Sequence, residues 1–307
     1  MRRITRAVGL ARRALRTPDR IADLQAQVGA LQSRSVAALG PDEIERAEFR
    51  VFSQFGEDGI IQFLVQRVPI DHRVFVEFGV EDYAEANTRF LLVNDAWRGL
   101  IIDAGTAHRR FLEESRLIWR TTIEAATAFI DRDNVNDVIR RGGASGPIGL
   151  LSIDIDGNDY WVLEAIECVT PQILVVEYNS LFGPERAVTV PYDAGFVRGE
   201  KHFSGLYWGA SLAALVRAAD RKGLALVAGN RAGNNAFFVS RDSLGDIPER
   251  TVAACWAPAQ FRESRGRSGK LTLLSDDTEK LRLLRDRPLA DLDDGGSERM
   301  IADLYGV

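Results

Sequence analysis

Short apolar runs in this chain repeatedly end in a carboxylate. Glu77 lies near the end of Val74-Phe-Val-Glu-Phe78, Asp103 closes Leu100-Ile-Ile-Asp103, and Asp154 closes Gly149-Leu-Leu-Ser-Ile-Asp154 with Asp156 two residues on. Glu177 closes Ile173-Leu-Val-Val-Glu177. Burying unpaired charge is costly, so this recurrence predicts a ligand-binding edge. An aspartate at such an edge can accept hydrogen bonds from both hydroxyls of a ribose, and a glutamate can offset a cation. Residues two apart on a strand face the same way. Asp154 and Asp156, with Glu177 from a neighbouring strand, could therefore converge on Mg²⁺ or Ca²⁺, which prefer oxygen ligands. The run is not an EF-hand, because Gly157 falls at its fourth position rather than its sixth. Side chains at strand ends also cap helices, the role expected of Asn87 and Asn158.

Apolar runs alternating with helical patterns position these residues. A weaker third run covers Ala125 to Ile130, and helices are expected near Asn87, after Asp103, over Val135–Arg141, Tyr160–Ile166 and Ser211–Lys222. Leu224–Ala228 and Ala236–Ser240 form two last strands joined by Gly229-Asn-Arg-Ala-Gly-Asn-Asn235. This alternation predicts an α/β fold whose mostly parallel sheet is covered on both faces, with one antiparallel strand at the end. Ligands of such sheets bind beyond the carboxyl ends of the strands. Beyond about residue 245 an Arg/Asp-rich extension is expected to pack on the core, with a loose segment over 291–296. The expected organisation is a helical arm over 1–49, a catalytic domain over 50–242 and the extension over 243–307.

Composition excludes several classes. The chain has 307 residues, 46% hydrophobic and 27% charged, which is ordinary for a soluble globular protein. Two cysteines, Cys168 and Cys255, argue for a reducing compartment and against a disulfide framework. No apolar stretch is long enough to span a membrane, and no apolar core of a signal peptide follows the basic start. A cytoplasmic location is expected. Net charge is −5, but residues 1–40 carry eight Arg against Asp19 and Asp23, leaving an acidic body. That argues against a nucleic-acid-binding core. Within the arm, Ile21, Leu24, Val28 and Leu31 follow 3-4-3 spacing over two heptads. The arm suits either contact with an anionic membrane surface or self-association through residues 1–40.

The first strand lacks Gly-x-Gly-x-x-Gly, so a dinucleotide pyrophosphate has no glycine cradle there. Only Gly79 is available. A cofactor with a ribose for Asp103, no pyrophosphate and a cationic amine for Glu77 meets these conditions, and S-adenosylmethionine is one.

The segments Phe75-Val-Glu-Phe-Gly79, Gly99-Leu-Ile-Ile-Asp103, Leu150-Leu-Ser-Ile-Asp-Ile-Asp-Gly-Asn-Asp159, Val175-Val-Glu-Tyr-Asn179 and Asn235-Ala-Phe-Phe-Val239 resemble those of the FkbM-like class I methyltransferases. Ser53-Gln-Phe-Gly-Glu-Asp58 is similar to the lead-in of one branch of that family. The resemblance spans about residues 50–242. It implies a Rossmann-like seven-stranded sheet, S-adenosylmethionine as methyl donor and O-methylation, often of sugars or other glycan-type acceptors. By the same resemblance Glu77, Phe78 and Gly79 form the methionine-side loop, Asp103 holds the ribose, and Phe129, Asp131 and Asn134 border the adenine, with Asp154 also at the cofactor. Many class I enzymes place a second glycine two residues after the first, where this chain has Glu81. A non-catalytic scaffold on a degenerate methyltransferase fold is the alternative that this departure raises.

O-methylation needs a base near the acceptor hydroxyl. Of the three histidines, His72 precedes the first strand and His108 follows Asp103. His202 lies in the long insert of residues 180–209, among Phe182, Tyr192, Phe196, Phe203, Tyr207 and Trp208. His202 is the expected base, with Asp154 and Asp156 as an alternative means of activation.

Overall fold

The computed structural model describes residues 17–307 except Arg116. Residues 1–16, which hold six of the arm's eight Arg, lie outside the described residues. Seven strands form one sheet: β1 (Val74–Phe78), β2 (Arg98–Asp103), β3 (Ile123–Thr127), β4 (Gly146–Ile153), β5 (Val169–Glu177), β7 (Leu224–Gly229) and β8 (Asn235–Ser240). Their order is β3-β2-β1-β4-β5-β8-β7. All neighbours are parallel except β8, which runs antiparallel to both β5 and β7. The antiparallel strand therefore sits one place in from the edge. The five-residue connection 230–234 folds back as a hairpin, and β8 inserts between β7 and β5.

Alternate residues of the central strands feed opposite faces, as the period of two requires. Val76, Leu100, Ile102, Leu151, Ile153, Leu174 and Val176 join one buried cluster. Phe75, Ile101, Leu150, Ile173 and Val175 join the other. Central strands buried on both faces read as continuous apolar runs, which is why they stand out in the sequence. β1 lies between β2 and β4. Successive crossovers run outward from it in two directions, β1-β2-β3 one way and β4-β5 the other, and a crevice opens where the order reverses.

A second, three-stranded sheet was not expected. β6 (Val188–Thr189) from the long insert pairs with β9 (Pro288–Asp291), which pairs with β10 (Ser297–Met300). Residues 291–296 are thus the turn of a hairpin rather than a loose segment. Asp291 is buried there, accepting from the Asp293 amide at 3.1 Å and from Arg299 Nη1 at 3.2 Å. The C-terminal extension buries Leu281, Leu284, Leu289, Ile301 and Leu304 against Phe182, Phe196, Tyr207 and Trp208. Most of the insert's aromatic residues are therefore core. Among the described residues, no helix is long and apolar enough to cross a membrane.

Candidate active site

A cleft of about 670 Å³ opens over the carboxyl ends of β1, β2, β4 and β5. Glu77, Gly79, Asp103, Phe129, Asp154, Asp156 and Glu177 all line it, so topology gathers most of the residues singled out by type and position.

The β1 end is tightly constrained. Gly79 has φ +74, and a Cβ there would land on the carbonyl oxygen of Asp154. Only glycine lets the first loop cross the end of β4. Glu77 accepts from the Asn87 amide at 2.8 Å, the Thr88 amide at 3.1 Å and the Thr88 hydroxyl. Burial raises its pKa to about 7, against the lowering effect of those donors. Phe78 is fully buried in the core and supplies no surface to the cleft.

Asp103 accepts from the amides of Glu81 at 2.9 Å and Gly105 at 2.7 Å while remaining part-exposed at the cleft. Glu81, the departure from the glycine pattern, adopts φ +48 and gives its amide to Asp103. The backbone thus forms the turn without a glycine, and the cleft stays open beside it. Phe129 stands exposed on the rim. Asp131 and Asn134 do not reach the cleft. Asp131 accepts from the amides of Asp133 and Asn134 at 2.8 Å, and Asn134 Nδ2 donates to the Phe129 carbonyl at 2.9 Å. They shape the loop that carries Phe129.

The β4 and β5 ends differ. Asp154 and Glu177 line the same end of the cleft and influence each other's charge. Burial, followed by repulsion from Asp156 and Asp159, pushes Asp154 well above the ordinary carboxylate range. Burial and Asp154 do the same to Glu177. Three buried oxygens at this end, Glu177 Oε2, Asn158 Oδ1 and Asn235 Oδ1, have no partner among the described residues, and all three residues line the cleft. Asn158 holds the N-cap position of the helix Asp159–Ala165, as expected, but its side chain makes no cap bond: its Nδ2 donates to the Asp193 carbonyl at 2.8 Å. Asp159 closes that turn instead, accepting from the amides of Ile155 and Gly157 at 2.9 Å. Asn87 is no cap; its Nδ2 donates to Ser152 Oγ at 3.1 Å.

The metal expectation fails on geometry. Asp156, at φ +56, is ion-paired to Arg198 Nη1 at 2.5 Å. Among the described residues, no group of three or more His, Cys, Asp or Glu side chains is arranged to hold a metal ion. Arg198 is held further by the Gly205 carbonyl at 2.7 Å and lies over the Trp208 ring. Burial works against its charge, yet Asp156 and Glu177 keep its pKa above the ordinary guanidinium value.

His202 does not take the place expected of it. It is buried behind the insert, with Nδ1 2.7 Å from Ser204 Oγ and its ring 4.3 Å from that of Phe203. It does not line the cleft. Burial, and then the charges of Arg287 and Arg267, lower its pKa. Its neighbours Phe203 and Gly205 are the residues that face the cleft.

Sequence reasoning missed Arg198, Asn235 and the part played by Ser53–Asp58. Asp58 accepts from the amides of Val51, Phe52 and Ser53 at 2.7–2.8 Å, which fixes the loop that places Gln54 on the cleft. Glu57 accepts from Asn230 Nδ2 at 2.6 Å and Asn235 Nδ2 at 3.1 Å, which turns Asn235 Oδ1 away from it. Asn235 was detectable as the polar residue opening an apolar strand. Arg198 had no signal beyond its charge.

The fold is that of the class I methyltransferases. The order of the seven strands, with β8 antiparallel between β5 and β7, decides this. No protein-family model matches the chain, and no curated protein matches it. Among solved structures, 54 chains match. They include the pyocyanin biosynthetic protein PhzM, at 13% identity and TM-score 0.35, covering 58% of this chain and 53% of that one. An O-methyltransferase family protein from Burkholderia thailandensis gives 13% identity and TM-score 0.36, over 74% of this chain and 60% of its own. NcsB1, an O-methyltransferase from neocarzinostatin biosynthesis solved with S-adenosyl-L-homocysteine, gives 20% identity and TM-score 0.33, over 54% and 48%. This chain thus spans about half to three-fifths of the length of these three structures.

Proposed function

We propose that the protein is an S-adenosylmethionine-dependent O-methyltransferase acting on a neutral hydroxylated acceptor of glycan type. One observation carries this reading: a single cleft joins a glycine-crossed β1 turn and a ribose-competent Asp103 to the Asp154–Glu177 end, where oxygens of Glu177, Asn158 and Asn235 have no partner among the described residues. The chemistry of these residues fits the cofactor. Gly79 leaves room at the first turn, Asp103 would take the ribose hydroxyls, Phe129 would cover the adenine, and Glu77 and Asp154 would face the cationic end. When bound, S-adenosylmethionine supplies an electrophilic methyl group.

The chain's own residues supply the rest. Asn158 Oδ1, Asn235 Oδ1 and Glu177 Oε2 are acceptor atoms suited to hydroxyl donors. Orienting a hydroxyl can contribute up to roughly 7–11 kcal/mol. The Asp154–Glu177 pair, not His202, is placed to take the hydroxyl proton. A pair that holds one proton keeps one carboxylate basic, and cationic charge in the cleft lowers the pKa of both members. Eight carboxylates line the cleft against Arg198 and Arg265, which disfavours phosphorylated acceptors.

Isothermal titration of the purified chain tests the reading. S-adenosylmethionine is expected to bind, releasing protons in buffers of differing ionisation enthalpy, and NAD is expected not to. NAD binding, or no binding of S-adenosylmethionine, overturns it. The second result would favour the non-catalytic scaffold that Glu81 first raised.

A further inference from the structure

The helix Thr17–Val36 has two apolar faces, and among the described residues only one is packed. Ala22, Ala26 and Val36 pack on the body. A Cβ at Gly29 would overlap Val51 and Phe90, so the helix is seated closely. Gln25 Nε2 donates to the Val51 carbonyl at 3.4 Å. On the other side Ile21, Leu24, Val28 and Leu31 are 53%, 60%, 56% and 61% exposed. At about 100° per residue, this stripe points roughly 140° away from the buried face.

The residue types specify the partner. In a heptad frame Ile21 and Val28 take position a, and Leu24 and Leu31 take position d. β-Branched a residues with leucine at d favour two parallel strands. The flanking positions agree: Gln25 and Gln32 fall at e, and Arg20, Gln27 and Arg34 at g. A parallel pair sets g against e, so Arg20 meets Gln25 and Gln27 meets Gln32. An antiparallel pair would set g against g and bring Arg20 onto Arg34, a like-charge contact. The helix carries Asp19, Arg20, Asp23 and Arg34, so its formal charge is zero. The stripe's own helix is therefore not the source of the arm's basic charge, which lies in the six Arg before Thr17. Two heptads are marginal for free peptides because helix nucleation is costly. Here the helix is already formed on the body, so that cost falls on folding and not on association.

We propose that the exposed stripe Ile21–Leu24–Val28–Leu31 is a self-association surface that joins two copies of this chain as a parallel, two-stranded coiled coil.

Sedimentation equilibrium of the full chain, compared with Leu24→Glu/Leu31→Glu, tests it. The expected result is twice 34.0 kDa for the unmodified chain and 34.0 kDa for the variant, with unchanged thermal unfolding because both positions are exposed. Ile21→Cys in a Cys168→Ser background reads the orientation. A parallel pair puts the two introduced thiols side by side and gives an oxidised dimer on non-reducing gels. An antiparallel pair separates them by about ten residues, on the order of 15 Å, beyond disulfide reach. A monomer at all concentrations, a dimer that survives the double substitution, or a dimer of the Ile21→Cys variant that fails to cross-link each overturns the proposal. So does a monomer that co-sediments with phosphatidylserine vesicles, which would assign the stripe to a membrane surface.

Discussion

The two halves of the cleft treat carboxylates differently. Over β1 and β2, Glu77 and Asp103 are each held by amides of neighbouring loops. Over β4, β5 and β8, buried oxygens of Glu177, Asn158 and Asn235 have no partner among the described residues. The first half uses its carboxylates partly as scaffold, fixing the loops around Gly79 and Glu81. The second half keeps acceptor atoms for a ligand. Unsatisfied buried groups cost about 1–3 kcal/mol each, so the β4–β5 end stores a cost that donors from an acceptor molecule would offset. Charge and preorganisation are thus divided: one half is shaped in advance, and the other is completed by what binds.

Substitutions in the second half should break the reaction most. Glu177→Gln is expected to lower turnover by roughly 10²–10⁴-fold, the range for loss of a general base, while calorimetry still records cofactor binding. Equal loss of binding would move Glu177 to the cofactor side. In the first half, Asp103→Ala should weaken S-adenosylmethionine by about 1–3 kcal/mol, roughly five- to 150-fold in Kd. A change confined to turnover would contradict its ribose role.

A smaller effect concerns stability. Burial raises Glu77 to about 7, and Asp58 and Asp159 to about 6, from ordinary values near 4. The folded chain therefore holds more protons than the unfolded chain between about pH 4 and 7, and stability falls as pH rises through that window. Thermal unfolding should occur at higher temperature near pH 5.5 than near pH 8, and Glu77→Gln should flatten the slope. The smallest effect is expected at His202→Ala. Outside the cleft, its loss should leave turnover unchanged and cost about 1 kcal/mol of stability, read by urea denaturation.

Strand identity was legible because buried parallel strands leave continuous apolar runs, and the carboxylates ending them stood out against that background. Boundaries drifted. β3 begins at Ile123 rather than Ala125, and β4 reaches back to Gly146, because strand ends lie outside the sheet's buried centre. His202 was misread because loop position in the sequence does not tell which way a side chain turns. Phe203 faces the cleft, while His202 beside it is buried and held to Ser204. The three-stranded sheet was invisible because β6 has only two residues and its partners lie about a hundred positions away.

The sequence by itself determined the strand set, the carboxylates at their ends and the glycine at the first turn. These depend on local pattern and on the stereochemistry of single residues. Tertiary structure decided which carboxylates pair with donors, which oxygens are left free, that Asp156 answers to Arg198 instead of a metal, and that His202 is buried. Those outcomes depend on contacts between residues far apart in the chain, and no local pattern encodes them.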